Sequence, residues 1–227
     1  MTLSLIDLKR LPAGAQYYAL LDGAHPRYSL PELISRQFAQ PQWQLLYQTK
    51  EQTKEQTKEQ TKEQTTEQAT EYEELLDISP VLLRLDDPAE WLGLWQTEYA
   101  ALPGCLLCSA APQDALIQHL QTLLTVSLDN GGSASLRFYD PRVGPAFWQS
   151  LASDRRTAWS GPVAAWLWPL DLMRGYRAAL GPSAELAPSA EPTAAAPAGR
   201  FNYSQTQQQR FLTAITELDR EISRNGV

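Results

Sequence analysis

The sequence predicts an α/β protein: an N-terminal lobe with a central mixed sheet flanked by helices, and a smaller helical C-terminal lobe. Three observations carry that expectation. Short apolar runs bounded by turn residues alternate with segments of helical periodicity through most of the chain. Helix-start signatures, Ser/Asp followed three residues later by Glu, stand between those runs. A Pro/Ala-rich stretch, 181–200, then separates a final amphipathic segment from the rest. The lobes are accordingly drawn at 1–143 and 144–227, the second mainly helical.

Taken in order, "QYYALLDGA" (Gln16–Ala24) reads as a buried strand closed by an Asp-Gly turn. "SLPELISRQF" reads as a helix with Ser29 as N-cap and Glu32 completing a capping box. "WQLLYQ" and "PVLLRL" are two further strands, and "DDPAEWLGLW" starts another helix with Asp87 as N-cap, Pro88 at N1 and Glu90 at N3. "GCLLCSA" is a fourth strand. "PQDALIQHLQTLLTV" is a helix with Leu116, Leu120, Leu123 and Leu124 on one face. "VSLDNGGSASLRFY" has the strongest hairpin signal in the chain, an Asn-Gly-Gly turn between two strands. "YDPRVGPAFWQSL" turns into a helix. The last segment places Phe211, Ile215, Leu218 and Ile222 on one helical face, with Asn225-Gly226 as C-cap.

Between the second and third strands lies a four-residue repeat, "TKEQTKEQTKEQTTEQ". It contains no apolar residue between Tyr47 and Ala69, so it has no face to bury. Its Lys and its Glu each recur at i,i+4, a mildly unfavourable arrangement that Glu–Lys pairs at i,i+3 partly offset. We expect a solvated loop insertion over 48–70, a kind of change that costs little in closure entropy. The insertion also explains the charge. Of the net charge of −7, eight Glu against four Lys between Thr49 and Glu74 contribute −4. The remainder is nearly neutral and lacks a basic patch, which argues against nucleic-acid binding. No apolar run approaches membrane-spanning length, and the N-terminal segment lacks the layout of a secretory signal, so a cytoplasmic protein is expected.

Catalytic and metal chemistry find little support. Cys105 and Cys108 stand three apart in a strand, so they point to opposite faces, and a lone pair lacks the other ligands of a zinc site. His25 and His119 have no Cys, Asp or Glu at ligand spacing. There is no G-x-S-x-G elbow and no phosphate loop. No metal and no cofactor is expected. The densest mixed cluster is "LRFYDPRV" (Leu136–Val143). Strand alternation would send Leu136 and Phe138 to one side and Arg137 and Tyr139 to the other. Asp140-Pro141 reads as an N-cap and first-turn pair, and Arg142 is placed to pair with Asp140 or with a carbonyl. The cluster is either a structural corner or a partner-binding surface. An enzyme using Asp140 or Asp22 as a carboxylate, with Arg142 as an anion clamp in a cleft, is the alternative; it lacks a second converging acid or base in the sequence.

"YYALLDGA", the W-x-L-L-Y strand, "SPVLLRL", "HLQTLLTVSLDNG" and above all "LRFYDPRV" followed by "GPVAAW" succeed one another in an order that resembles the adaptor chaperones of the bacterial type VI secretion system, a family long labelled as a domain of unknown function. The resemblance covers about Gln16–Trp168. It implies a two-lobed, non-enzymatic cytoplasmic protein that binds a toxic effector, commonly through the effector's N-terminal region. The adaptor would then help mount the effector on the secretion spike, VgrG or its PAAR tip. The motif positions here are Arg137, Phe138, Tyr139, Asp140, Arg142 and Trp166, which the resemblance marks as partner-binding or structural. Two departures stand out: the TKEQ tract intrudes where the family has a modest connection, and Gly144-Pro145 follows "DPRV" where a hydrophobic residue usually continues a helix, so the helix is expected to restart at Pro145.

Overall fold

Runs such as Gln16–Leu21 and Gly104–Ser109 are apolar at nearly every position because they become strands covered on both faces. The computed structural model describes residues 2–3, 14–24, 29–38, 40–47, 75–86, 103–171, 175–180 and 201–225. The TKEQ tract, the helix start at Asp87, His25, the Pro/Ala stretch and Gly226 lie outside these residues.

The fold is mixed α/β, as expected. Its main sheet takes β1 (Thr2–Leu3), β2 (Gln16–Leu21), β3 (Trp43–Leu45), β4 (Val81–Leu85), β5 (Gly104–Ser109), β8 (Val163–Asp171) and β9 (Gly175–Leu180) in the order β1-β9-β8-β5-β2-β4-β3. Every described pairing in it is antiparallel, so the sheet is not mixed. The link between β8 and β9 is too short for a parallel crossover and allows only an antiparallel return. A second sheet, β10-β6-β7, joins the hairpin β6 (Thr125–Leu128) and β7 (Ser133–Ser135) to β10 (Phe201–Tyr203), which runs parallel to β6. The hairpin forms around Asn130: Leu128 N–H donates to Gly132 C=O at 2.8 Å, and Gly132 N–H donates to Asn130 Oδ1 at 3.0 Å.

The main sheet runs across the boundary expected at 143/144, because β8 and β9 lie between β1 and β5. Among its described residues, the segment 144–227 contributes the strands β8, β9 and β10 as well as three helices. "VAAWLWPL" carries no polar alternation because β8 is an interior strand of the sheet. A register shift against Cys108/Ser109 places an extra residue, Ala164, in β8. That bulge puts Val163 on the same face as Trp166 and Trp168.

One face of the sheet is aliphatic. Ala19, Leu21, Val81, Leu83, Leu85, Leu106, Cys108, Ala165 and Leu167 pack there against Leu30, Leu33 and Ile34 of α1 (Leu30–Gln37). Ser29 is the N-cap of α1 by position, but its side chain makes no capping bond, so the expected capping box does not close. The other face carries α2 (Gln113–Leu123), α3 (Gly144–Ser150) and α4 (Ser153–Ser160), and its core is aromatic: Phe138, Phe147, Trp159, Trp166 and Trp168 are fully buried. Trp159 and Trp166 lie 4.5 Å apart between centroids, and Trp166 stacks on Trp168 at 6.0 Å and 9°. Cys105 belongs to the aromatic face and Cys108 to the aliphatic one, as their spacing predicts.

α4 is not announced by periodicity, since only Trp159 and Ser160 of its residues are buried. Gly161 ends it with φ at +50°, and a Cβ there would fall 2.4 Å from His119 Cε1. The His119 ring fills that space and its Nε2–H donates to the Trp159 carbonyl at 2.9 Å, tying α2 to the end of α4. α5 (Gln205–Asn225) docks through Phe211, which meets Phe147 at 6.0 Å; the side chains of Leu218 and Ile222 are outside the described set. No helix among the described residues is long and apolar enough to cross a membrane.

Candidate functional site

The segment Arg137–Arg142 leaves β7 as a tight turn, not as a continuing strand. Asp140 N–H donates to Arg137 C=O at 3.0 Å, and Val143 and Gly144 N–H donate to Asp140 C=O at 2.9 and 2.8 Å. This overturns the strand alternation expected for Leu136–Tyr139. Because the chain reverses after Arg137, Phe138 and Tyr139 both turn inward, while Arg137 reaches the surface.

Phe138 holds the turn down. Its ring stands edge-on to Tyr139, Trp159 and Trp166 at 5.6, 6.1 and 5.6 Å. Such pairs each contribute about 0.5–1.5 kcal/mol beyond the area they bury. Its carbonyl accepts a bond from Trp168 Nε1 at 2.9 Å. Gly144 makes that bond possible: a Cβ there would lie 2.1 Å from the Phe138 oxygen and 2.3 Å from Trp168 Nε1. The helix starts at Gly144 itself, one residue before the expected restart, with Pro145 inside its first turn. The glycine therefore keeps the turn, β8 and α3 in contact.

Two carboxylates organise the polar side of the turn. Asp140 is buried, but it does not cap α3, whose N-cap is Val143. It grips its own neighbour: Oδ1 accepts from Arg142 N and Nε at 2.9 and 3.1 Å, and Oδ2 from Arg142 Nη2 at 2.8 Å. Asp22, buried at the end of β2, accepts from Ala24 N–H at 3.2 Å and forms an ion pair with Arg137. The side chains of Arg137 and Arg142 are nonetheless 47% and 68% exposed. Each guanidinium is thus held by an interior carboxylate while its side chain remains partly exposed, a planar donor fork of the kind suited to carboxylates or carbonyls.

Tyr139 completes the cluster. Burial pushes its hydroxyl well above the ordinary phenol range, and the Asp22 charge adds to that; Arg137, which hydrogen-bonds it, acts the other way. Tyr47 is near enough to contribute as well, so the turn sits beside the end of β3, where the chain departs for the repeat.

Of the six motif residues, then, Phe138, Tyr139, Asp140 and Trp166 are interior, and Arg137 and Arg142 are the ones at the surface. Sequence reading missed Asp22 as the partner of Arg137, because they are 115 positions apart and no spacing rule connects them. It also missed Trp168 and Gly144, although Trp166 and Trp168 at i,i+2 in a strand share a face, a readable signal. Both thiols are buried, and burial disfavours their thiolate form, raising Cys105 well above its ordinary range and pushing Cys108 up to about 12. Among the described residues, no group of three His, Cys, Asp or Glu could hold a metal ion.

No curated protein and no solved structure matches the chain. Residues 55–158 do match a family model, so the turn from Arg137 to Arg142, together with α2 and most of α4, lies within a region similar to the family described as Domain of unknown function (DUF4123).

Proposed function

We propose that this protein is a cytoplasmic adaptor that binds a type VI secretion effector and helps load it onto the VgrG or PAAR spike, without chemistry of its own. One observation carries the reading: two surface guanidiniums in a single six-residue turn, each fixed by a buried carboxylate and seated on an aromatic core. A donor fork held in place loses little freedom when a partner arrives, which favours recognition over catalysis. The family match supports it, since it spans the same turn. In the alternative reading Asp140 acts as a catalytic carboxylate. It would first have to surrender three bonds to Arg142.

The test is affinity capture of the tagged chain from its native lysate, with secretion genes expressed and co-purifying chains identified by mass spectrometry. The adaptor reading expects a spike protein and one toxin-like polypeptide. Arg142→Lys, which keeps a cation beside buried Asp140 but loses the planar fork, should lower recovery of at least one of them, whereas Arg142→Gln would also orphan the Asp140 carboxylate and lower stability by about 1–3 kcal/mol. Recovery of neither chain would remove the proposal.

A further inference from the structure

The last helix, α5, lies along α3, yet fewer of its described side chains are buried than in α2. α2 buries four of its eleven residues. Among the described side chains of the longer α5, only Ala214 is buried, Phe211 is half-buried, and Leu212 is 62% exposed. β10 adds to β6 over three residues, Phe201, Asn202 and Tyr203 opposite Val126, Ser127 and Leu128.

The unit also carries its own start signal. Ser204 N–H donates to Gln207 Oε1 at 2.9 Å and Gln207 N–H donates to Ser204 Oγ at 3.3 Å, a reciprocal capping box. From outside the unit, exposed Asp129 accepts a bond from Gln205 N–H at 2.9 Å. A strand followed by a self-capped amphipathic helix combines two common ways in which one protein captures a segment of another, strand addition and helix-in-groove docking. Here the segment comes from the same chain.

We propose that β10–α5 is a displaceable strap. It holds in cis a surface made of the outer edge of β6, Asp129 and Phe147, on which the cargo protein docks a strand followed by an amphipathic helix. The identity of the incoming segment rests on the adaptor reading; the displacement itself does not. A covalently attached segment competes at an effective concentration on the order of millimolar, so the surface is shielded until a better-fitting segment arrives.

The probe is a fluorescein-labelled synthetic peptide of residues 200–227, added to the full-length protein and followed by anisotropy. If the strap masks the surface, weakening its hold raises the fraction of open chains, and apparent affinity follows that fraction. Phe211→Ala in the protein should therefore tighten binding of the wild-type peptide by about tenfold or more, and Phe211→Ala in the peptide should abolish it. Asp129→Ala, at an exposed position, loses one contact to the strap in cis and in trans alike, and so should leave the peptide no tighter than with the wild-type chain. Hydrogen exchange on the unmodified protein gives a second reading: amides of 205–217 should exchange together, well before those of β2 and β5. Equal affinity for wild-type and Phe211→Ala chains, binding to neither, or strap amides that exchange only with β5 would overturn the proposal. Because the probe is the chain's own sequence, that failure is separate from a failure to capture spike or effector.

Discussion

The two faces of the main sheet are made from alternate residues of the same strands, yet they differ in kind. Under α1 the contacts are aliphatic: Ala19, Leu21, Leu83, Leu106 and Leu167 against Leu30, Leu33 and Ile34. On the opposite face, three indoles and two phenyl rings interlock at defined angles around Phe138. Aliphatic packing fills volume and accepts substitutes of similar size. An aromatic cluster fixes orientation, and here it fixes the turn that presents Arg137 and Arg142. It does so at a cost, since Trp159 Nε1, Trp166 Nε1 and Ser160 Oγ are buried without a hydrogen-bond partner, each worth about 1–3 kcal/mol against folding. One face supplies bulk stability; the other supplies shape.

Three substitutions test that contrast. Trp166→Ala should be the most damaging, about 3–5 kcal/mol by chemical denaturation, because it empties the centre of the aromatic cluster. Gly144→Ala comes next. Its Cβ collides with a carbonyl and an indole nitrogen, for about 1–3 kcal/mol and loss of the Trp168 bond, visible as a shift in tryptophan emission. Leu106→Met, on the aliphatic face, should cost less than about 1.5 kcal/mol and leave that emission unchanged. If Leu106→Met proves as harmful as Gly144→Ala, the faces do not differ as described.

The mildest effect is one of pH. Burial lowers the His119 pKa below its ordinary value of 6.5, although its bond to the Trp159 carbonyl acts the other way. As pH falls below about 6.5, the unfolded chain takes up the proton first, so the unfolded state binds more protons than the native one. Stability is therefore complete above pH 6.5 and declines below it, by at most about 1.4 kcal/mol per pH unit, until the folded pKa is passed. His119→Gln should flatten this slope in melts between pH 4.5 and 7.5. An unchanged slope would assign the acid sensitivity to other groups.

Local chemistry was legible where neighbours in sequence are neighbours in space. The strands at 16–21, 81–85 and 104–109, the leucine face of α2, the Asn-Gly-Gly hairpin and the Asp140–Arg142 pair all follow from spacing of a few residues. What was hidden depends on long-range closure. The inward turn of Tyr139 requires the reversal after Arg137, and Asp22 meets Arg137 only once β2 and the turn share one end of the sheet. β8 hid because an interior strand with a bulge has neither polar alternation nor a clean register. α4 hid because a helix with one large buried side chain leaves no stripe to count.

The placement of the two cysteines gives the molecule a pair of built-in reporters. Cys105 faces the aromatic layer and Cys108 the aliphatic layer, both sealed from solvent. A maleimide can label either one only when its own side of the sheet opens. Mass spectrometry of partially labelled chains would therefore time the two layers separately within one native protein, without introducing a foreign probe.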